Sequence, residues 1–172
     1  MNNIFLVGLM GAGKSTIGHL LANLLKMTHL DSDNEIEKYT GATIPLIFEY
    51  EGEAGFRKRE QEVIALLTEY NNIVLSTGGG VVLNADNRQH LKNRGYVIYL
   101  HASVDKLLER TAHSHDRPLL QTENRRERLE TILWQRHPLY TEVANVTIET
   151  GHRTIRQVVR AVLKHLKKLE KI

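Results

Sequence analysis

Gly8-Leu9-Met10-Gly11-Ala12-Gly13-Lys14-Ser15-Thr16 follows directly on the apolar run Ile4-Phe5-Leu6-Val7. That run predicts a buried strand. After the loop, Ile17, Leu20, Leu21, Leu24 and Leu25 recur at helical spacing and predict a helix with these residues on one face. A G-x-x-x-x-G-K-[ST] pattern between a strand and a helix is a phosphate-binding loop, and the reason is physical. The glycines let successive backbone N–H groups turn inward as an anion nest, and the helix N-terminus adds partial positive charge beneath it. Gly11, Ala12, Gly13, Lys14, Ser15 and Thr16 are therefore the candidate nucleotide contacts. Lys14 can reach the β- and γ-phosphates, and Ser15 supplies a hard oxygen for Mg²⁺.

Outward from the loop, further short β-branched or apolar runs lie near His29 to Leu30, at Ile73 to Leu75, at Val97 to Leu100 and at Val146 to Ile148. Amphipathic helical stretches separate them. Such alternation predicts an α/β fold with a parallel sheet covered on both faces. The chain of 172 residues shows no repeat, low-complexity tract or linker, so one domain spanning 1–172 is expected. Gly8 cuts the first apolar run too short for a membrane span or a signal peptide. Cysteine is absent, which excludes disulfides and thiolate metal sites and suits a cytoplasmic protein. The formal charge is +3, with a basic excess in Arg153, Arg156, Arg160, Lys164, Lys167, Lys168 and Lys171. Nucleic acid is one partner such a patch allows. Ile155, Val158, Val159, Val162, Leu163, Leu166 and Leu169, however, make this an amphipathic helix whose basic face is solvated, with cations suited to the negative end of its dipole.

Three further groups carry chemistry. Asp31-Ser32-Asp33 follows the second strand, at the sheet edge where ligands bind in open α/β folds. Asp31 suits Mg²⁺ held through water, and Asp33 suits a hydroxyl that must be oriented or deprotonated. Helix capping by Asp33, ahead of a helix from Asn34 to Tyr39, is an equally open reading. Gly78-Gly79-Gly80 follows the third strand; three adjacent glycines are entropically costly unless something approaches the backbone closely, and a substrate is the expected visitor. Arg57, Arg117 and Arg136 stand apart from the basic helix. As a set they offer a fork for a carboxylate and a cation for a moving phosphoryl group. Arg117-Pro118 lies in a polar segment, His113 to Thr122, that reads as a mobile loop.

Taken in order, the Gly8 to Thr16 loop, Leu30-Asp31-Ser32-Asp33, Gly55-Phe56-Arg57 with Glu60, Thr77-Gly78-Gly79-Gly80, Arg117-Pro118-Leu119-Leu120 and Arg136-His137-Pro138-Leu139-Tyr140 span nearly the whole chain. This series resembles the shikimate kinase family in its bacterial single-domain form. The resemblance implies a P-loop fold whose five-stranded parallel sheet has the order 2-3-1-4-5, with a lid near 111–123. It implies transfer of the γ-phosphoryl group of ATP to the 3-hydroxyl of shikimate, with Mg²⁺, in chorismate and aromatic amino-acid biosynthesis. Asp33 would then contact the shikimate hydroxyls, Arg57 and Arg136 its carboxylate, and the backbone around Gly79 would close the pocket. Glu60 would steady Arg57. Arg117 would act from the lid, Arg110 would be a second phosphate contact, Arg153 would face the adenine, and Ser15 with Asp31 would serve the metal. A monomer with no nucleic-acid or membrane partner is the corresponding expectation. His113, His115 and Asp116 in the lid read as solvated side chains rather than metal ligands. The rivals are kinases of the same fold acting on gluconate or a nucleoside monophosphate, and a nucleotide-dependent switch, for which no N-K-x-D guanine signature is present.

Overall fold

Continuous apolar runs belong at the centre of a parallel sheet, where both faces are covered. The computed structural model, which describes residues 3–113 and 123–170, places them there. The strands β1 (Asn3–Val7), β2 (Thr28–Asp31), β3 (Ile73–Ser76), β4 (Tyr96–His101) and β5 (Val146–Glu149) form one parallel sheet in the order β2-β3-β1-β4-β5. This is the P-loop α/β order expected from the resemblance. β1, β3 and most of β4 are buried, whereas the edge strands β2 and β5 are mixed. Asn3 pins the start of β1: its carbonyl oxygen accepts from Ile73 N–H, and its amide donates to Tyr70 O and Arg94 O.

The helices among the described residues are α1 (Lys14–Leu25), α2 (Ser32–Thr40), α3 (Ile44–Leu67), α4 (Ala85–Arg94), α5 (Val104–Thr111), α6 (Arg125–Val143) and α7 (Ile155–Leu169), with a 3₁₀ turn at Val81–Leu83. α1 corrects the predicted face. Its buried apolar residues are Ile17, Gly18, Leu21 and Ala22, while Leu24 is 56% exposed. The cause is Gly18, where a Cβ would stand 2.3 Å from Ser76 Oγ and 2.9 Å from His29 Nε2. The helix approaches the sheet along its smallest residues, which turns Leu24 outward. In α7, Val158, Val159, Val162 and Leu166 are buried and the capping box Thr154 and Gln157 opens the helix. Ile155 leaves the predicted stripe and lines the phosphate cleft instead. Arg156, Arg160, Lys164, Lys167 and Lys168 are exposed; Lys171 lies outside the described residues.

α3 is broken at Gly52, whose φ of 70° and ψ of −177° are not helical. Across the break Arg59 donates to both oxygens of Glu51, at 2.8 and 2.6 Å. The half beyond Gly52 carries Arg57 and Glu60 toward the carboxyl edge of the sheet.

Candidate active site

The strand register sets the floor of the site. Leu6 of β1 and Asp31 of β2 both pair with Ser76 of β3, so the carboxyl ends of three adjacent strands finish at one level. From these ends spring the phosphate loop, the Asp31 to Asp33 turn and the glycine run. A cleft of about 430 Å³ joins them, lined by Gly11 to Ile17, Asp31, Asp33, Thr77, Gly78 and Gly79. Arg110, Thr150, Arg153, Ile155 and Val158 close its other end.

Within the loop, Gly13 precedes α1 in the left-handed region with φ 96°, which a residue with a Cβ reaches only under strain. At Gly8 space is also limiting, since a Cβ would meet Leu100 O at 2.4 Å. The Lys14 ammonium is buried and donates to Gly8 O at 2.6 Å and Leu9 O at 3.0 Å, so it lies folded over the loop. Ser15 Oγ donates to Asp31 Oδ2 at 2.5 Å. The other oxygen of Asp31 accepts from the backbone N–H of Asp33 at 3.0 Å and of Asn34 at 3.3 Å. Asp31, rather than Asp33, is therefore the cap of α2. Ser15 and Asp31 form a pair of hard oxygens beside the phosphate nest, a donor set that fits Mg²⁺ held by one or two protein oxygens together with phosphate and water.

The glycine run is crowded by the protein itself. A Cβ on Gly78 would stand 2.7 Å from Asp33 Oδ1 and 3.0 Å from Glu60 Oε2, and one on Gly80 would fall 2.3 Å from Arg57 Nη1. Gly80 has a φ of −91°, and none of the three is among the positive-φ glycines, so space rather than backbone freedom requires Gly78 and Gly80, while a Cβ on Gly79 would make only ordinary contacts. The Gly78 N–H is already taken by Ser32 Oγ at 2.9 Å. Two carboxylates and a guanidinium of the protein itself thus approach Gly78 and Gly80.

Arg57 donates to Glu60 at 2.9 Å and to Glu53 at 3.4 Å. Glu60 is buried, and burial pushes its carboxyl up, with Arg57 pulling it back. Arg136 comes from distant α6, is 4% exposed, and is held below its usual range by burial and then by the charge of Arg57. Its Nη1 has no hydrogen-bond partner among the described residues. Two guanidiniums thus stand together at the glycine end of the cleft, where, among the described residues, Glu60 is the one carboxylate buried with them. Arg110 spans the other end, donating to Gly11 O and Thr150 Oγ1 at 3.2 Å and to Thr150 O at 3.3 Å. Arg153 is an exposed part of that wall. Arg117 and most of the lid, including His115 and Asp116, lie outside the described residues. Sequence reasoning assigned no role to Ser32, Ser76, Thr150 or Tyr140. Their types are ordinary and their spacing carries no signal.

The raised Glu60 carboxyl has a consequence for stability. A folded value above the ordinary one, about 4.3 for Glu, means the folded state holds this proton more tightly. Its contribution is fully present below the ordinary value and is lost as pH rises through the folded one. Glu60→Gln lacks this loss. The melting temperature of Glu60→Gln minus that of the wild type is expected to rise between about pH 4 and neutrality. A difference that stays level or falls across that window would contradict the burial argument.

An anion nest at a helix N-terminus, a hard-oxygen pair beside it and an acid facing the same cleft define a P-loop phosphotransferase. The two clustered guanidiniums add a place for an acidic acceptor. Comparison with known proteins agrees: the shikimate kinase family description matches residues 10–167. A shikimate kinase of Methylococcus capsulatus is 60% identical over 94% of this chain and 90% of its own length. The solved shikimate kinase from Acinetobacter baumannii in complex with shikimate superposes with a TM-score of 0.95 at 50% identity, covering 98% of this chain and 94% of that one. The enzyme from Aquifex aeolicus gives 0.82 at 34% identity, covering 98% of each chain. The chain belongs to the shikimate kinase family.

Proposed function

We propose that this chain transfers the γ-phosphoryl group of ATP to the 3-hydroxyl of shikimate, giving shikimate 3-phosphate and ADP. The observation that carries the substrate assignment is the pair Arg57 and Arg136, half-buried and buried at the glycine end of the phosphate cleft, with Arg136 Nη1 lacking a hydrogen-bond partner among the described residues. Two guanidiniums there fit a planar carboxylate. A carboxylate held there leaves the hydroxyl-bearing ring between them and the phosphate loop, within the span of Asp33.

Each residue then has a task. The loop from Gly11 to Thr16 holds the phosphates, and Lys14 moves from the loop carbonyls to the β- and γ-oxygens. Mg²⁺, held through Ser15 and Asp31, neutralises phosphate charge when bound. Asp33 accepts the proton of the attacking hydroxyl as that oxygen bonds to the γ-phosphorus and the bond to the ADP oxygen breaks. No covalent phosphoenzyme is required. Gly78 and Gly80 leave room for Asp33, Glu60 and Arg57 to crowd the pocket wall, and Gly79 lines it toward the substrate. Arg110 lies beside the loop, Arg153 faces the base, and Arg117 closes from the lid to exclude water and steady the moving charge. The reading extends to one domain over 1–172, a monomer acting in the cytoplasm without a nucleic-acid partner. No helix among the described residues is long and apolar enough to cross a membrane.

The test is ADP release with Mg²⁺-ATP and a panel of shikimate, quinate, gluconate, a nucleoside monophosphate and a blank. Turnover on shikimate far above the others is expected. A flat panel on protein that still binds ATP would remove the substrate assignment and leave only the nucleotide site.

A further inference from the structure

We propose that Tyr140 is a positioning residue for the acidic end of the substrate, holding Arg136 and the glycine run in one fixed arrangement through a single phenol. The proposal rests on the reading of Arg136 as a carboxylate contact. Tyr140 lies one helical turn beyond Arg136 on α6 and is fully buried. Its hydroxyl donates to the carbonyl oxygen of Gly79 and lies beside the Arg136 guanidinium, whose charge pulls its titration back down against burial. One oxygen thus holds the backbone that walls the pocket and sits beside the group that meets the carboxylate.

The remaining surroundings fix the phenol itself. Its ring packs on Tyr99, with centroids 4.9 Å apart and planes inclined by 32°. Tyr99 is in turn held by a hydrogen bond of 2.9 Å between its hydroxyl and His137 Nδ1. Burial pushes the Tyr140 hydroxyl up to about 12, so it remains a neutral donor at working pH. The guanidinium and the phenol converge on one residue, since Arg136 Nη1 lies 3.5 Å from where a Cβ on Gly79 would stand and the phenol holds the Gly79 carbonyl. Without the phenol oxygen, the Gly79 carbonyl loses its buried donor, and Arg136 loses the neighbouring oxygen that limits its turning. A preset cation binds its anion without first having to be ordered.

Tyr140→Phe removes one oxygen and keeps the ring. Its KM for shikimate is expected to rise at least about tenfold, with kcat and the KM for ATP changed less than about threefold. In an Arg136→Ala background the same change is expected to add almost nothing, because the phenol acts through that arginine. Full additivity, an unchanged KM, or equal losses in kcat and in both KM values would overturn the proposal. The wild type compared on shikimate and its methyl ester tests the underlying reading separately: no preference for the acid removes Arg136 from carboxylate binding whatever Tyr140 does. Should Tyr140→Phe fail to fold, the wild type still decides by ¹⁵N-arginine spectroscopy. The Arg136 side-chain protons are expected to exchange slowly before shikimate is added; free exchange that slows only on binding would overturn preorganisation.

Discussion

Asp33→Asn is expected to lower turnover on shikimate by about 10²–10⁴, the range that a positioned proton acceptor contributes. The argument rests on a division of labour between two neighbouring acids. Asp31 is committed on both oxygens, to Ser15 and to the backbone of α2. Asp33 instead lines the phosphate cleft against Gly78. Asparagine keeps the shape and one accepting oxygen, so KM for shikimate should move by less than about tenfold. ATP is held by the loop and should bind as before. Steady-state rates with both substrates varied, beside ATP binding by calorimetry, separate these effects. A variant with near-normal kcat and a large rise in KM alone would make Asp33 a binding contact and leave the proton without an acceptor.

Arg57→Ala should show two losses that can be pulled apart. The substrate carboxylate loses a guanidinium fork, which raises KM for shikimate by about a hundredfold, the effect of losing one or two charge-assisted hydrogen bonds. Glu60 also loses its counter-charge while its side chain stays 1% exposed. Removing one partner of a buried pair costs about 3–5 kcal/mol. The lower end applies here, because the Arg57 side chain is itself 19% exposed. For a chain of this length about 3 kcal/mol corresponds to about 6–12 °C in melting temperature. Adding Glu60→Gln to Arg57→Ala should restore most of the stability and none of the affinity. Thermal denaturation and KM measured on the same three variants make the comparison. Recovery of KM in the double variant would show that Arg57 serves the fold and not the substrate.

Local chemistry was the legible part of this chain. The phosphate loop is written in consecutive residues, and the apolar runs of β1, β3 and β4 announce strands because both faces of a central strand are dry. β2 is harder to read: Thr28-His29-Leu30-Asp31 has one aliphatic residue, since an edge strand is only half covered. Which aspartate caps α2 depends on a backbone turn, and residue type alone allowed either. The glycine run showed that space was short but not what filled it, because Asp33, Glu60 and Arg57 arrive from other elements. Arg57 and Glu60 are three apart on one helix and their pairing could be anticipated. Their meeting with Arg136, from far along the chain, is tertiary. So is the bond from Tyr140 to Gly79, which no spacing encodes.

The break at Gly52 divides α3 into two pieces of unequal resistance to local unfolding. The piece before it, Ile44 to Glu51, is too short to persist as a helix alone, and its hold on the protein comes from Ile47 in the core, Ile44 and Phe48 packed against it, the bond from Ile44 N–H to Glu37 and the Glu51–Arg59 ion pair. The piece after it runs unbroken to Leu67 and buries Phe56, Glu60, Val63, Ile64 and Leu67. Opening the first piece takes Phe48 off Phe56, the ring over which Arg57 lies, and its amides belong to an exchange unit that is salt-sensitive through the Glu51–Arg59 pair. An ordering of the whole segment around a bound anion would then register as slower amide exchange in residues that never touch it.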